Sequence, residues 1–359
     1  MKSKVVAITD YPLKGTSFGN VALKLFSKLC TKYDIDVLSL GYTGLPIDFG
    51  FRILPLDSAI QIGFYNKHIP RDVTLVFHSF YFLEKLGITS FPSRSILYIP
   101  VEASSIPIKY GTSLAQFDRV LTPSIYSQQV LGILGINADV LYHGVDSNFF
   151  KSNEGIKKEF FFGFLGMNDI RKQIPKIVEA YSKLGMTGND LVINTTREGH
   201  YDIPSIFQNY NLPPNYAPGK FLGIPSTPDL ILNFYNRIKA YVQCSSESFG
   251  LPSLEAASCE LPNIASFHGA SPEILGNASL YVNPIGYLDT NLGPIAIPDV
   301  NELEEKMRML VDNPSLRKEL GLKGRDRALL FDWNKPVEQL DKILEEEISI
   351  GRTRSTSKV

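Results

Sequence analysis

Two glutamates eight positions apart, Glu247 and Glu255, enclose the run Ser-Phe-Gly-Leu-Pro-Ser-Leu. The apolar Tyr241-Val-Gln-Cys244 before it reads as the end of a buried strand, and Ser245 and Ser246 break that strand into a loop. A helix is expected to open near Leu251-Pro252, because proline suits the first helical position, where its missing N–H is not needed. The backbone N–H groups of Phe249, Gly250 and Leu251 then lie at a helix N-terminus, which attracts phosphate through unpaired donors and the helix dipole. Gly250 lets a ligand approach closely. Glu247 falls on the loop and Glu255 about one turn into the helix, two places from which carboxylates could accept hydrogen bonds from hydroxyl groups. Taken alone, the same residues also describe a strand, a turn and a helix carrying two solvated acids.

Cations of the kind a phosphate needs stand in Phe164-Leu-Gly-Met-Asn-Asp-Ile-Arg171-Lys172, which ends a strand and precedes a helix. A departing diphosphate gathers negative charge, and fixed cations lower that barrier. Arginine offers a bidentate fork and lysine a compact charge. The pair suits two adjacent phosphates, although adjacent residues on a helix point in different directions, so Arg171 is expected to be oriented differently from Lys172. Lys14-Gly15-Thr-Ser-Phe-Gly19-Asn20 follows the first strand and opens a helix, a tight turn whose amides can face an anion. His78 ends the strand Val73–Phe77 and Glu102 follows another strand end; as single residues they read equally as a hydrogen-bonded core histidine and a capping or solvated acid. His143 reads as a packing residue in a turn.

These residues need elements to position them. Short β-branched runs alternate with amphipathic stretches from Val5–Ile8 to Val140–Tyr142, and the alternation starts afresh at Phe160–Leu165. That pattern argues for βαβ units and parallel sheets with helices on both faces. It implies two doubly wound domains: 1–152, then, after the polar linker Lys151–Lys158, 153–333. Ligands in such folds bind beyond the carboxyl ends of the strands, here in a cleft between the domains. A last helix is expected over 334–350, and the polar 351–359 reads as a disordered tail. There is no internal repeat.

A chain of 359 residues suits two domains. Its 36 basic and 37 acidic residues nearly cancel, so no field points to nucleic acid. No apolar run reaches the roughly 18 to 20 residues that span a bilayer, and Met1-Lys-Ser-Lys leads into a strand; a soluble, cytoplasmic protein is expected. Cys30, Cys244 and Cys259 have neither metal-ligand nor disulfide spacing and read as small core residues.

Several segments, in order along most of the chain, resemble family 4 of the retaining glycosyltransferases. Glu247–Glu255 matches that family's Glu-x7-Glu motif, and Ala256–Pro262 and Ala270-Ser-Pro-Glu273-Ile are similar to its continuation. Leu141-Tyr-His-Gly144-Val-Asp146-Ser-Asn-Phe149 resembles the stretch closing the family's first domain. Asp118–Ser124 is similar to the strand and serine-capped helix before it, and Tyr98-Ile-Pro-Val-Glu102 resembles a variant found in part of the family. In most of the family an arginine directly follows the glycine of the 164–172 segment; here Met167 stands in its place, while Lys172 fits the lysine position.

The resemblance implies the GT-B fold, two Rossmann-like domains facing each other across a cleft. It implies transfer of a sugar from a nucleotide-sugar donor to a hydroxyl acceptor, with retention and without a metal or other cofactor. Glu247 would then hold the donor sugar, Glu255 the ribose, and Lys172 with Arg171 the diphosphate. Gly15 would lie against phosphate and sugar, His78 near the reacting sugar, and Glu102 towards acceptor or sugar. The loops Asn194-Thr195-Thr-Arg197 and Phe221–Pro225 would read the base. The acceptor is expected to contain sugar, lipid-linked or not, and peripheral contact with the membrane inner face stays open. A nucleotide-sugar epimerase and a non-catalytic sugar-nucleotide or glycan-binding subunit are the alternative readings.

Overall fold

A computed structural model describes residues 2–13, 15–56, 59–80, 82–83, 91–186, 190–214, 216–218 and 228–356. The chain forms two compact units. The first comprises Met1–Val101, Ser105–His143 and Trp333–Val359, and the second Glu102–Ser104 with Gly144–Asp332.

In the first unit, eight strands stand in the order β3-β4-β2-β1-β5-β6-β7-β8. They are β1 (Lys4–Asp10), β2 (Asp34–Leu40), β3 (Ile47–Asp48), β4 (Arg52–Leu56), β5 (Val73–Phe77), β6 (Arg94–Tyr98), β7 (Arg119–Thr122) and β8 (Ala138–Val140). All pairings are parallel except that of β3 with β4. The central strands are continuous apolar runs because helices cover both faces: Val5 to Ile8 and Val73 to Phe77 are almost wholly buried. From β1 the chain builds outwards through β2 to β4, then returns to the other side of β1 and builds through β5 to β8. The order therefore reverses between β1 and β5.

The turn after β1 has Gly15 at φ 79°, a left-handed conformation that glycine adopts without penalty. Thr16 then caps the helix Ser17–Leu29, its hydroxyl accepting the Gly19 N–H at 3.1 Å. The strands β3 and β4 are absent from the periodicity of the sequence. Pro55 within β4 masks that strand, and it fits because the two-residue β3 pairs only with Ile53 and Arg52 on the outer side.

The final helix runs over Asn334–Thr356 and packs on this unit. Lys32 and Tyr33 bond Asp341, Gln339 donates to the Val140 carbonyl, and Arg94 reaches Glu347 at 2.7 Å. Helix also replaces the disorder expected of 351–356. There Arg352 bridges to Asp72 at 3.1 Å and to Ser3 at 3.0 Å.

In the second unit, β9 (Phe160–Leu165), β10 (Leu191–Thr195), β11 (Tyr216–Pro218), β12 (Ile238–Gln243), β13 (Asn263–Ser266) and β14 (Ser279–Val282) form one parallel sheet. Its order is β11-β10-β9-β12-β13-β14, so the reversal falls between β9 and β12. One face carries a core of Phe162, Phe164, Ile177, Ile193, Leu303 and Met307 among others. A hairpin of β15 (Pro284–Leu288) and β16 (Ile295–Pro298) is attached. Cys244 and Cys259 are buried, whereas Cys30, expected in a core, is only half-buried. Among the described residues no helix is long and apolar enough to cross a membrane.

Candidate functional site

The reversal between β9 and β12 is where an open parallel sheet leaves a crevice at its carboxyl edge. From β9 the chain passes through Gly166 into a single 3-10 turn, Ile170–Lys172, capped by Asp169, whose side chain accepts the Arg171 N–H at 2.9 Å. Gln173 then takes φ 50° and ends that turn. From β12 the chain passes through Cys244 and the two serines to Glu247.

Four donors meet on one oxygen of Glu247. Lys172 Nζ lies 2.5 Å from Oε1, Gln243 Nε2 2.7 Å, Ser245 Oγ 2.5 Å and Arg171 Nη1 3.1 Å. Arg171 Nη1 also donates to the Ser246 carbonyl at 3.0 Å. Lys172 and Glu247 are each only 6% exposed. Burial acts to raise the Glu247 pKa, but the Lys172 and Arg171 cations outweigh it and bring the carboxyl down to about 2. Burial acts to lower the Arg171 pKa, and Glu247, Glu102 and Asp169 more than offset it, so the guanidinium stays charged. Burial, with the neighbouring Arg171 charge, depresses Lys172 below the usual lysine value.

Supporting contacts hold this cluster rigid. Gln243 is itself oriented: its Oε1 accepts from Ser253 at 2.8 Å and from Tyr241 at 3.2 Å. The Glu247 carbonyl accepts the Ala270 N–H, and a Cβ on Gly269 would come within 2.7 Å of that carbonyl oxygen. On the cation side, Asn168 clasps the opposite loop. Its Nδ2 donates to the Tyr201 carbonyl at 2.8 Å, its Oδ1 accepts the Tyr201 N–H at 3.0 Å, and its own N–H reaches Thr196 Oγ1 at 3.1 Å. Gly199 is required there, because a Cβ would sit 2.0 Å from the Asn168 carbonyl oxygen.

Several of the residues singled out in the sequence meet here. Lys172, Arg171 and Glu247 share one carboxylate oxygen, and Glu102, which groups with this unit, lies 3.7 Å from Arg171. The expectation that Arg171 and Lys172 diverge is corrected: they stand on a 3-10 turn closed by a left-handed residue, not on an α-helix, and both reach Glu247. Met167 is 61% exposed. The helix after the loop runs over Leu251–Ser258, with Gly250 at its N-cap at φ 88° and Pro252 in its first turn. Phe249 is buried beneath that turn. Glu255 lies on the helix, with the Tyr235 hydroxyl 2.9 Å from its Oε2. Thr195 ends β10 fully buried, and neither its hydroxyl nor the Asn194 amide has a hydrogen-bond partner among the described residues. Phe221–Pro225 lies outside the described residues. His78 and Gly15 belong to the first unit.

Gln243, Ser245, Asn168 and Gly199 were not singled out in the sequence. A polar Gln243 inside an otherwise apolar buried strand was the one available signal, since such a group needs a partner.

Comparison with known proteins bears on what this arrangement belongs to. The family model for group 1 glycosyl transferases matches residues 146–327, just over half the chain. An uncharacterized glycosyltransferase of Methanocaldococcus jannaschii is 28% identical over 242 residues, 66% of this chain and 62% of that protein. The chain thus spans less than two thirds of that relative's length. Among solved structures, sucrose-phosphate synthase from Thermosynechococcus elongatus superposes with a TM-score of 0.76 at 16% identity, over 97% of this chain and 100% of that one. HepE of Anabaena, in complex with UDP and glucose, superposes with a TM-score of 0.71 at 14% identity, over 96% and 100% of the two chains. At such identity the likeness is one of fold, and it is the GT-B fold, with two parallel-sheet α/β units. The match over 146–327, which contains the whole Lys172–Glu247 cluster, makes this chain a member of the group 1 glycosyl transferase family.

Proposed function

We propose that the protein transfers a sugar from a nucleoside diphosphate sugar to a hydroxyl acceptor, with retention at the anomeric carbon and without a metal ion, as a member of family 4. The observation that carries this reading is the convergence of Lys172 and Arg171 on Glu247 across the strand reversal of the second unit. A buried lysine and a half-buried arginine are suited to a diphosphate, whose charge grows as the glycosidic bond breaks. Arg171 takes up the function for which most of the family uses an arginine at the position of Met167.

Glu247 is ionised, and among the described residues its three side-chain hydrogen bonds and the Arg171 ion pair all fall on Oε1, so Oε2 is the oxygen offered to donor-sugar hydroxyls. Glu255 holds the ribose. The bond between the anomeric carbon and the phosphate oxygen breaks, the bond to the acceptor oxygen forms, and the hydroxyl proton leaves with the diphosphate. Positioning and charge stabilisation carry the rate, because Glu247 is engaged by four donors and its low pKa makes it no proton donor. HepE, a neighbour in fold, was solved with UDP and glucose, which favours a sugar nucleotide as donor.

The test is incubation with UDP-glucose, UDP-N-acetylglucosamine, GDP-mannose and ADP-glucose, each with methyl α-D-glucopyranoside or methyl α-D-mannopyranoside as acceptor, following free nucleoside diphosphate and reading the configuration of the new linkage by NMR. Release of diphosphate with an α-linked product is expected. A released diphosphate with a β-linked product refutes retention, epimerised donor without release supports the epimerase, and no turnover of any donor refutes the enzyme.

A further inference from the structure

Arg171 is less buried than Lys172, and besides Glu247 it has two further tethers. Its Nη1 donates to the Ser246 carbonyl at 3.0 Å, and its Nη2 lies 3.7 Å from Oε1 of Glu102. Neither tether stands on the turn that carries Arg171. Ser246 lies in the loop after β12, and Glu102 in the short segment Glu102–Ser104 that groups with the second unit. Each therefore needs support of its own.

A single imidazole supports both. His268 follows β13 and is half-buried. Its Nδ1 lies 3.1 Å from the Ser246 hydroxyl and its Nε2 3.0 Å from the Ser104 hydroxyl. Either tautomer bridges the two, since a serine hydroxyl both donates and accepts. The β15–β16 hairpin and the residue before β16 hold the serines as well: the Ala296 N–H donates to Ser246 Oγ at 3.1 Å, and the Pro294 carbonyl accepts the Ser104 N–H at 2.9 Å. Tyr287 of that hairpin packs edge-on against the imidazole, at 5.4 Å and 66°. The contacts close a ring that runs from Arg171 through Ser246, His268 and Ser104 to Glu102 and back to Arg171.

We propose that His268 is a positioning residue for Arg171: it holds the Ser246 carbonyl and the Glu102 carboxylate where together they aim the guanidinium at the diphosphate of the donor. This rests on the transferase reading for the identity of the ligand, whereas the ring of contacts does not. Lys172 is fixed by its burial and by Glu247. Arg171, which takes over from the arginine that Met167 displaces, draws its aim from loops elsewhere in the sequence.

A double-mutant cycle tests whether His268 works through Arg171. The titrant is whichever of UDP, GDP and ADP binds the native chain. His268→Ala is expected to weaken binding about three- to tenfold, the effect of a lost hydrogen bond, and to cause no further loss in an Arg171→Ala background. His268→Asn, which keeps an acceptor for Ser246, and His268→Gln, which keeps a donor for Ser104, are expected to lose less. Equal binding to His268→Ala and the native chain, or the same fold-loss with and without Arg171, overturns the proposal. Relaxation of arginine 15Nε groups in the ligand-free chain reads the same claim without a nucleotide, the Arg171 signal being assigned by its loss in Arg171→Ala. Its order parameter is expected to be high in the native chain and to fall in His268→Ala; an unchanged value refutes the role. His268→Gln, which releases the Ser246 side, is expected to lower it too and decides the matter if His268→Ala fails to fold. A chain that binds none of the three diphosphates fails the transferase reading, and the relaxation then decides the role of His268 alone.

Discussion

Each unit carries an acid and a base across the point where its strand order reverses, and the two pairs differ in how far water is excluded. In the second unit Lys172 and Glu247 are each 6% exposed and joined by Arg171, Gln243 and Ser245. In the first unit His78 and Asp10 keep 14% and 21% of their side chains exposed and share one hydrogen bond. The same topology thus supports a dry ionic cluster in one unit and a wetter Asp–His pair in the other. Water exclusion strengthens electrostatics and raises the penalty for removing a partner.

The comparison predicts graded losses. Lys172→Ala should have the largest effect, because it leaves Glu247 with its charge only partly compensated. Removing one partner of a buried pair costs about 3–5 kcal/mol, so turnover should fall by a hundredfold or more and the midpoint of urea unfolding should drop. A variant with native stability and rate breaks the contrast.

Glu247→Gln should reduce turnover at least tenfold and also change the pH dependence of stability. The Glu247 pKa is depressed in the folded chain, from about 4.3 in an unfolded one to about 2. Its contribution is therefore present above about pH 4 and lost as pH falls through 2, an amount of roughly 3 kcal/mol. Urea titrations at pH 5 and pH 2.5 should show a smaller drop for Glu247→Gln than for the native chain; equal drops contradict the ionic cluster.

Gly199→Ala should act through Asn168, shifting the 166–172 loop. An increase of several-fold in donor KM together with a lower unfolding midpoint is expected, because a Cβ 2.0 Å from the Asn168 carbonyl oxygen forces the loop to move, and an unchanged KM removes the clasp from the account. His78→Ala should have the smallest effect, since the partly exposed Asp10 keeps its charge and loses only one hydrogen bond. Nucleoside diphosphate binding should be unchanged, and a loss as large as that of Lys172→Ala would break the contrast.

How much of this was legible in the sequence depended on sequence separation. The β-branched runs and their alternation with amphipathic stretches mark most strands of both sheets, because continuous apolar runs are what parallel strands require. Gly250-Leu251-Pro252 marks the helix start through local rules. The shared reach of Arg171 and Lys172 to Glu247 was hidden because the helical rule was applied to a turn that Gln173, at φ 50°, closes after three residues. The Asn168 clasp and the Asp10–His78 bond join residues about 30 and 68 positions apart, and no local pattern announces them. The tail 351–356 was misread because composition records missing apolar surface and not the carboxylate of Asp72, nearly 280 positions away, to which Arg352 is tied.

The central claim, that the Lys172–Arg171–Glu247 cluster receives a nucleoside diphosphate, is tested most directly by isothermal titration of UDP, GDP and ADP into the native chain, Lys172→Ala and Asp10→Ala. The account predicts that at least one diphosphate binds the native chain, that Lys172→Ala weakens it tenfold or more, and that Asp10→Ala leaves it unchanged. Binding of none of the three, or equal binding to Lys172→Ala and the native chain, would contradict it.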